Sequence, residues 1–243
     1  MSLFSNVEMA PRDPILGLNE QFAADTSAIK VNLGVGVYFN DQGKLPLLAC
    51  VQKAEQAMMS APSARGYLPI DGIAAYDSAV KALVFGANSE AVNSSRVATV
   101  QALGGTGGLK IGADFLKKLN PGAKVLISDP SWENHRALFS SAGFVVDTYA
   151  YYDAATRGVN FQGMLDSLNA AAPGTIVVLH ACCHNPTGYD ISPEQWDSVV
   201  QVVKSRELTA FLDMAYQGFG HGIAQDGAVI DKFVKAGLDF LVS

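Results

Sequence analysis

The chain lacks any apolar run long enough to cross a membrane. Its longest apolar runs have the length of a strand and are interrupted by proline, glycine or charged residues, whereas a transmembrane helix needs about 20 mostly apolar residues. The N-terminal segment 1–14 carries Glu8 and Arg12 but no apolar signal core. These absences exclude a membrane protein, and we expect a cytoplasmic one.

Clusters of basic residues are also missing. The chain has 17 Lys and Arg against 23 Asp and Glu, which gives a net charge of −6. Surfaces that bind nucleic acids or acidic lipids need clustered positive charge. We therefore expect neither nucleic acid nor a membrane surface as a partner.

Cysteine is scarce, and its three copies are an odd number. Such a count argues against a disulfide framework and for a reducing compartment. Cys182 and Cys183 precede His184, with His180 nearby, which could indicate a metal cluster. Zinc ligands are normally spaced by roughly two to four residues, however, rather than adjacent. Because cysteine is also a common small core residue, we predict no metal site.

Strands and helices alternate from about residue 96 onward. We predict strands at 97–103, 124–127, 144–149, 175–180, 209–213 and 240–242, and helices at 109–119, 129–141, 161–170, 192–205 and 228–236. This alternation is typical of a parallel sheet covered on both faces. The predicted fold class is therefore α/β with a mostly parallel, doubly wound sheet, and ligands should bind at the carboxyl ends of its strands.

The first 95 residues follow a different pattern. We predict helices at 13–24, 48–59 and 71–85, and a short strand with two glycines at 31–38. A domain boundary near Leu45 and Pro46 is expected. Residues 1–45 would form an N-terminal arm and part of a small domain, and residues 46–243 would form a large domain.

Several turns that follow predicted strands carry polar residues. They are 104–108 (Gly-Gly-Thr-Gly-Gly), 129–132, 184–188 (His-Asn-Pro-Thr-Gly) and 213–219. Because the carboxyl ends of parallel strands meet at one edge, we expect these turns to share a site. The amide of Asn185, the carboxylate of Asp213 and the phenol of Tyr216 suit an aromatic nitrogen heterocycle better than a metal or a nucleotide phosphate.

The glycine-rich turn at 104–108 predicts a phosphate site. Glycines let the backbone approach an anion, and the start of the following helix presents free N–H groups. The turn is neither a Walker loop nor a dinucleotide fingerprint, because the required spacings are missing. The alternative is a tight strand–helix turn without a ligand.

Each polar residue also has an ordinary structural explanation. Asp213 could cap a helix, Tyr216 could be a core ring, and Asn185 could shape a turn before proline. Trp132 could be core or a platform for a flat ligand, and His135, three residues later, could be a packing residue. Their joint placement favours a common site.

Together these motifs resemble the class-I aminotransferases of fold type I, in particular the aspartate and aromatic-amino-acid subgroup. The resemblance covers nearly the whole chain, with motifs at 13–18, 32–38, 67–72, 105–107, 130–132, 182–188 and 213–219. It implies pyridoxal phosphate (PLP) as cofactor, an amino acid and a 2-oxo acid as substrates, and a homodimer.

The resemblance also implies how the cofactor is held. Gly105 and Thr106 would bind its phosphate, and Trp132 would stack on its pyridine ring as one of the catalytic residues. Asp213 would be the catalytic carboxylate bonded to the ring nitrogen, with His135 behind it.

Other matching residues would contact the phenolic oxygen, the substrate or the second subunit. Asn185 and Tyr216 would donate to the phenolic oxygen of the cofactor, and Tyr216 would also be catalytic. Gly36 would lie near the substrate carboxylate, where Trp132 and Asn185 also contribute. Tyr67 would reach the cofactor of the neighbouring subunit, on which the N-terminal arm would pack.

The resemblance predicts further groups that the chain does not contain. The family's Schiff-base lysine would fall a few residues past Ser243, as would the arginines for the phosphate and for the substrate carboxylate. We therefore expect the chain to be the N-terminal part of such an enzyme and to be inactive alone. A non-catalytic fragment that binds a ligand, and a PLP lyase on the same fold, are the alternatives.

Two apolar residues bear on substrate choice. Strict aspartate enzymes of the family tend to carry Lys and Thr where this chain has Phe39 and Leu45. Apolar side chains there favour an aromatic substrate ring, whose burial contributes up to about 1.5–3 kcal/mol. We expect broad use of phenylalanine and tyrosine, with aspartate or glutamate as amino donor. The alternatives are a strict aspartate aminotransferase and two residues that only pack the small domain.

Overall fold

The computed structural model describes residues 4–9, 16–32 and 36–243. Contacts divide the chain into two units, Met1–Gly66 and Tyr67–Ser243. The domain boundary that we expect near Leu45 stays a prediction. Residues 13–15 of the first predicted helix and 33–35 of the predicted strand lie outside the described residues.

The first unit contains two helices, α1 (Leu16–Ala24) and α2 (Ala49–Ser60). None of the α2 residues is buried. The strand predicted at 31–38 is not found in its described part, residues 31, 32 and 36–38. A short apolar segment with two glycines does not form a strand by itself, because a strand also needs a hydrogen-bonded neighbouring strand.

The second unit is built around a parallel sheet. Its elements in chain order are α3 (Ala74–Phe85), α4 (Glu90–Asn93), α5 (Gly104–Leu119), β1 (Lys124–Asp129), α6 (Glu133–Ser141), β2 (Val145–Ala150), β3 (Tyr152–Asp153), β4 (Gly158–Val159), α7 (Phe161–Ala170), β5 (Ile176–His180), α8 (Pro193–Ser205), β6 (Thr209–Asp213), α9 (Ile223–Asp226), α10 (Ala228–Lys235) and β7 (Phe240–Val242). The main sheet has the order β2-β1-β5-β6-β7, with every neighbouring pair parallel. β3 and β4 form a separate antiparallel pair. Within the described ranges, no helix has both the length and the apolarity that a bilayer span requires.

The central strand β5 shows why helices cover both faces of the sheet. All five of its residues are buried. Ile176 and Val178 belong to one hydrophobic core, and Val177 and Leu179 belong to the other. The first core takes Leu109 from α5 and Phe139 from α6; the second takes Met164 from α7, Trp196 from α8 and Phe233 from α10. Strand residues alternate between faces, so a continuous apolar run fits a strand covered on both sides. The predicted α/β class is confirmed.

Local sequence signals place several elements where they were predicted. At the start of α8 the Ser192 side chain accepts a hydrogen bond from the backbone N–H of Gln195, and the Gln195 side chain accepts one from the N–H of Ser192. This reciprocal pair is a capping box, and Pro193 follows it at the first helical position. α7, β6 and β7 also have the predicted bounds.

Two predictions for the segment before α5 are wrong. Residues 97–103 form no strand, and the glycine-rich stretch is the first turn of α5 rather than a turn before it. The N–H of Gln101 bonds to the carbonyl of Asp71 instead of joining a strand ladder. Gly104 has φ +66°, which glycine adopts at no steric cost. The low helix propensity of glycine matters little in a first turn, whose N–H groups have no helical partner anyway.

The strand order locates the crevice in which a ligand can bind. β2 lies on one side of β1, while β5, β6 and β7 continue on the other side. Such a reversal opens a crevice at the carboxyl ends of the two strands between which it occurs. β1 ends at Asp129 and β5 at His180, and the neighbouring β6 ends at Asp213. Three of the four polar turns predicted from the sequence, 129–132, 184–188 and 213–219, lie at or after these ends, whereas the fourth, 104–108, is the first turn of α5.

Candidate active site

Six of the predicted site residues line one pocket, with a volume of about 210 Å³, within the second unit. They are Gly105, Thr106, Trp132, Asn185, Asp213 and Tyr216. Leu109, His180, Cys182 and Ala215 complete the lining. The residues come from the start of α5 and from segments at or after the ends of β1, β5 and β6, as expected for the edge of a parallel sheet.

A buried hydrogen bond fixes the carboxylate of Asp213. Nε2 of His135 lies 2.7 Å from Oδ2 of Asp213. The His135 side chain is 0% exposed and that of Asp213 is 11% exposed. Nδ1 of His135 lies 2.9 Å from the hydroxyl of Ser131, which occupies its second ring nitrogen. Because a buried carboxylate without a partner is costly, this bond both stabilises and orients Asp213.

The second oxygen of Asp213 is left for a ligand. Among the described residues nothing donates a hydrogen bond to Oδ1, although Asp213 lines the pocket. An N–H donor with positive charge would form a strong bond there, since charge-assisted hydrogen bonds are about twice as strong as neutral ones.

His180 also lines the pocket, although the sequence did not identify it as a site residue. Its strand position pairs with Asp213 in the parallel register, and its ring lies 5.0 Å from that of His135. Neither ring nitrogen has a partner in the described part of the chain. Burial, reinforced by His184 and His135, lowers the pKa of His180 to about 3. The ring is therefore neutral at pH 7. The sequence signal that could have identified His180 is its position at the end of an apolar strand, next to the strand that ends at Asp213.

A hydrogen-bonded histidine holds the turn that carries Asn185. Nε2 of His184 lies 2.9 Å from the Ser128 hydroxyl, and its Nδ1 lies 2.8 Å from the Thr187 hydroxyl. The His184 ring stacks on Tyr151 with centroids 4.0 Å apart. Burial lowers the pKa of His184 to about 4, so it is neutral and well packed. Asn185 is thus anchored through the residue before it.

The start of α5 is open where the phosphate site is predicted. Gly105 and Thr106 are exposed, and their N–H groups have no backbone partner among the described residues. A Cβ added at Gly105 would meet nothing within 4 Å. Because the N–H groups of Gly105 and Thr106 are free and the space around them is open, they can receive an anion. The same helix packs tightly on the sheet two turns later, where a Cβ at Gly112 would lie 2.5 Å from the Phe211 ring.

The remaining predicted residues occupy different surroundings. Trp132 is half-buried and meets the His135 ring edge-on, with centroids 5.4 Å apart. Tyr216 is exposed, and no described residue bonds to its hydroxyl. Tyr67 is fully exposed and does not line the pocket. Gly36 belongs to the first unit. The roles assigned to these residues stay predictions.

Two groups of side chains in the described ranges have the spacing of metal ligands. Their ligand atoms lie within 4.8 Å of one another in each case. The groups are His135, His180 and Asp213, and Cys182, Cys183 and Asp226. In the first group both ring nitrogens of His135 already have hydrogen-bond partners, so a metal ion would have to displace Ser131 or Asp213.

Comparison with known proteins identifies a family that matches most of the chain. The family model described as aminotransferase class I and II matches residues 28–243. The chain is 61% identical to an aspartate aminotransferase of Pseudomonas aeruginosa, over 100% of this chain and 61% of that protein. It is 48% identical to an aromatic-amino-acid aminotransferase of Escherichia coli, over 99% of this chain and 61% of that protein.

A solved structure shows the same fold. The aromatic-amino-acid aminotransferase of Burkholderia pseudomallei, covalently bound to pyridoxal phosphate, superposes with a TM-score of 0.96 at 65% identity. The match covers 100% of this chain and 61% of that one. This chain therefore spans about 61% of the length of these relatives.

Proposed function

Because the chain belongs to the family of class I and II aminotransferases, we propose that it forms the cofactor-binding part of a PLP-dependent aminotransferase. The reaction would move an amino group from an amino acid to a 2-oxo acid. One observation carries the proposal: a single pocket joins the buried pair of His135 and Asp213 to the open first turn of α5.

The groups in the pocket fit those of pyridoxal phosphate. The unbonded oxygen of Asp213 suits a protonated ring nitrogen, and the N–H groups of Gly105 and Thr106 suit a phosphate. The half-buried ring of Trp132 provides a flat apolar surface for a heterocycle. Asn185 supplies an amide to the same pocket.

The residues of the chain would divide the chemical work. When bound, PLP supplies an electron sink for the pair of electrons released as the substrate loses its α-proton. Asp213 would keep the proton on the ring nitrogen, and His135 would hold the carboxylate in place. Asn185 and Tyr216 would donate hydrogen bonds to the phenolic oxygen, which favours its anionic form.

An activity assay on the whole protein tests this function. The assay follows transfer of the amino group of aspartate, phenylalanine or tyrosine to 2-oxoglutarate. We expect Asp213→Ala to raise the barrier by about 3–4 kcal/mol, as removal of one preorganised electrostatic group does. His221→Ala changes an exposed histidine that does not line the pocket, and it should retain activity. A loss of less than about tenfold in Asp213→Ala, or roughly 1.4 kcal/mol, would contradict the assignment.

Two other functions are separated by the same assay. A PLP lyase would release its product without any 2-oxo acid acceptor, whereas a transaminase requires the acceptor. A protein that only binds a ligand would show no turnover of any amino acid, although it would still bind PLP.

We further propose that aromatic amino acids are substrates. Phe39 and Leu45 are exposed apolar residues of the first unit. Among the relatives are both an aspartate enzyme and an aromatic-amino-acid enzyme. The test compares kcat/KM for phenylalanine and aspartate. A preference for aspartate above about a hundredfold, or roughly 2.7 kcal/mol, would leave a strict aspartate aminotransferase.

A homodimer in the cytoplasm completes the proposal. Tyr67 and Ile70 are fully exposed, and the adjacent Leu68 is also exposed, which suits a surface that a second subunit covers. All three cysteines are free, as in a reducing compartment. Sedimentation of the whole protein as an active monomer at micromolar concentration would contradict the dimer.

A further inference from the structure

Two adjacent thiols face each other beside the pocket. The sulfur atoms of Cys182 and Cys183 and a carboxylate oxygen of Asp226 lie within 4.8 Å of one another. Neighbouring residues of an extended chain normally point to opposite sides. Cys183 instead has φ +51°, in the left-handed region. The backbone therefore turns at this residue, and the two thiols lie on the same side of the chain. The pair therefore has the geometry of a dithiol.

The backbone around the two thiols is held in place before any ligand arrives. Asp190 accepts hydrogen bonds from the N–H groups of Cys183 and His184 at 2.7 and 2.8 Å. On the other side, a Cβ at Gly220 would come within 3.2 Å of the Cys183 sulfur, so the loop that follows Tyr216 packs closely on it. Because the site is already ordered, a ligand that bridges the two sulfurs would lose little binding free energy to ordering it.

The two thiols are neutral at pH 7. Burial raises the pKa of Cys182, and the neighbouring Cys183 and Asp226 raise it further. Burial also raises the pKa of Cys183. Reactions that need a thiolate, such as attack on an electrophile or binding of zinc, are therefore disfavoured. A reagent that condenses with two neutral thiols is not subject to this penalty.

Asp226 is poorly placed to complete a metal site. Its Oδ2 accepts hydrogen bonds from the N–H groups of Gly218 and Gly220, and its Oδ1 accepts one from His221. Zinc needs four ligands in a tetrahedron, and a carboxylate engaged in this way would have to give up bonds to serve as one. A ligand atom that needs only two sulfur atoms from the protein fits this site better than a zinc ion does.

We propose that Cys182 and Cys183 form a dithiol site that captures trivalent arsenic. Each sulfur forms one bond to arsenic. Arsenous acid would lose two hydroxyl groups, which leave as two water molecules with the two thiol protons. No atom changes oxidation state, and no oxidant or base is consumed. Cys182 also lines the pocket and the Cys183 sulfur lies 3.9 Å from the Tyr216 carbonyl, so the captured arsenic would lie against the pocket wall.

The probe for this site is phenylarsine oxide, which forms bonds to two thiols with release of one water. Cys50, the third cysteine of the given sequence, is exposed, so the reference protein is the whole protein with the Cys50→Ser substitution. We expect it to retain one equivalent of the probe, by native mass spectrometry, in excess 2-mercaptoethanol. The competing dithiol 2,3-dimercaptopropanol should remove the probe.

Two matched variants show whether both sulfurs are needed. In the Cys50→Ser background, Cys183→Ser and Cys182→Ser should each bind the probe at least about a hundredfold more weakly, because the bidentate advantage is lost. Cys183 is only partly buried, so Cys183→Ser keeps the test decisive if Cys182→Ser does not fold. The near-ultraviolet circular dichroism of the reference protein should persist with the probe bound.

Three results would overturn the proposal. They are no retained probe on the Cys50→Ser variant, equal retention by a folded Cys183→Ser variant, and binding of Zn²⁺ but not of the arsenical at these cysteines.

Discussion

Replacing His135 by leucine tests the link between the sheet and the pocket most sharply. His135 is fully buried on α6, and its two ring nitrogens bond Ser131 and Asp213 at 2.9 and 2.7 Å. Leucine keeps an apolar body in the core and removes both hydrogen bonds. The substitution therefore isolates the polar contribution of the ring from most of its packing.

The expected loss of stability follows from the burial of the two groups. A hydrogen bond to a charged group contributes about 1.5–3 kcal/mol, and leaving a buried polar group without its partner costs about 1–3 kcal/mol, and more when the group is charged. Asp213 keeps 11% of its side chain exposed and lines the pocket, so water can solvate part of the carboxylate. We therefore expect His135→Leu to lower the free energy of unfolding by about 2–4 kcal/mol.

Urea denaturation of the PLP-free protein at pH 7 measures this loss. His221→Leu is the matched control, because its side chain is exposed, and it should stay within about 0.5 kcal/mol of the wild type. In an Asp213→Leu background, His135→Leu should lower the free energy of unfolding by at least about 1 kcal/mol less than it does in the wild-type background, since no carboxylate is left unpaired. A loss below about 1 kcal/mol in the single variant, with an unchanged m-value, would show that the hydrogen bonds of His135 do not stabilise the fold as expected.

Three further predictions concern other parts of the second unit. Gly112→Ala would place a methyl group 2.5 Å from Phe211 and should lower the free energy of unfolding by about 1–3 kcal/mol. Gly107→Ala, the control, meets only ordinary contacts and should lower it less. Equal denaturation midpoints for the two variants would contradict the close packing of α5. Ser192→Ala removes the capping hydrogen bond of α8 and should cost about 1 kcal/mol, measured by thermal unfolding; an unchanged midpoint would count against the cap. The pKa of His180 is about 3 in the folded protein and near 6.5 in the unfolded chain. Its neutral ring therefore contributes fully to stability above about pH 6.5. The contribution is lost as the pH falls toward 3, because between these values only the unfolded chain takes up the proton. The free energy of unfolding between pH 6 and pH 5 should therefore fall less steeply in His180→Asn than in the wild type, by about 1 kcal/mol per pH unit, and equal slopes would contradict the shift.

Elements with strong local signals could be predicted from the sequence. The apolar run at 209–213 is buried along almost its whole length between β5 and β7, so its composition alone indicated β6. Ser192 and Pro193 marked the start of α8, because capping depends on residues close in sequence. The convergence of Asn185, Asp213 and Tyr216 followed from the geometry of parallel strands, which bring their carboxyl ends to one edge.

Features that depend on distant contacts could not be predicted. The apolar segment 97–103 has the composition of a strand, but pairing with another strand decides whether a ladder forms, and its Gln101 instead bonds to the carbonyl of Asp71 in a segment that is not a strand. The pair β3–β4 contributes only two residues from each strand, which is too short for a periodic signal. His180 acquires its importance from the register that sets it beside Asp213, and register is a property of the assembled sheet.

The most direct test of the central claim is the protonation state of the ring nitrogen of PLP in the whole protein. Nitrogen NMR of PLP labelled at that position reports the state through its chemical shift and its one-bond coupling to hydrogen. We expect a protonated nitrogen at pH 7 in the native protein, because Asp213 would accept its hydrogen bond, and loss of that proton in the Asp213→Ala variant. An unprotonated nitrogen in the native protein, or the same protonated state in both proteins, would contradict this expectation.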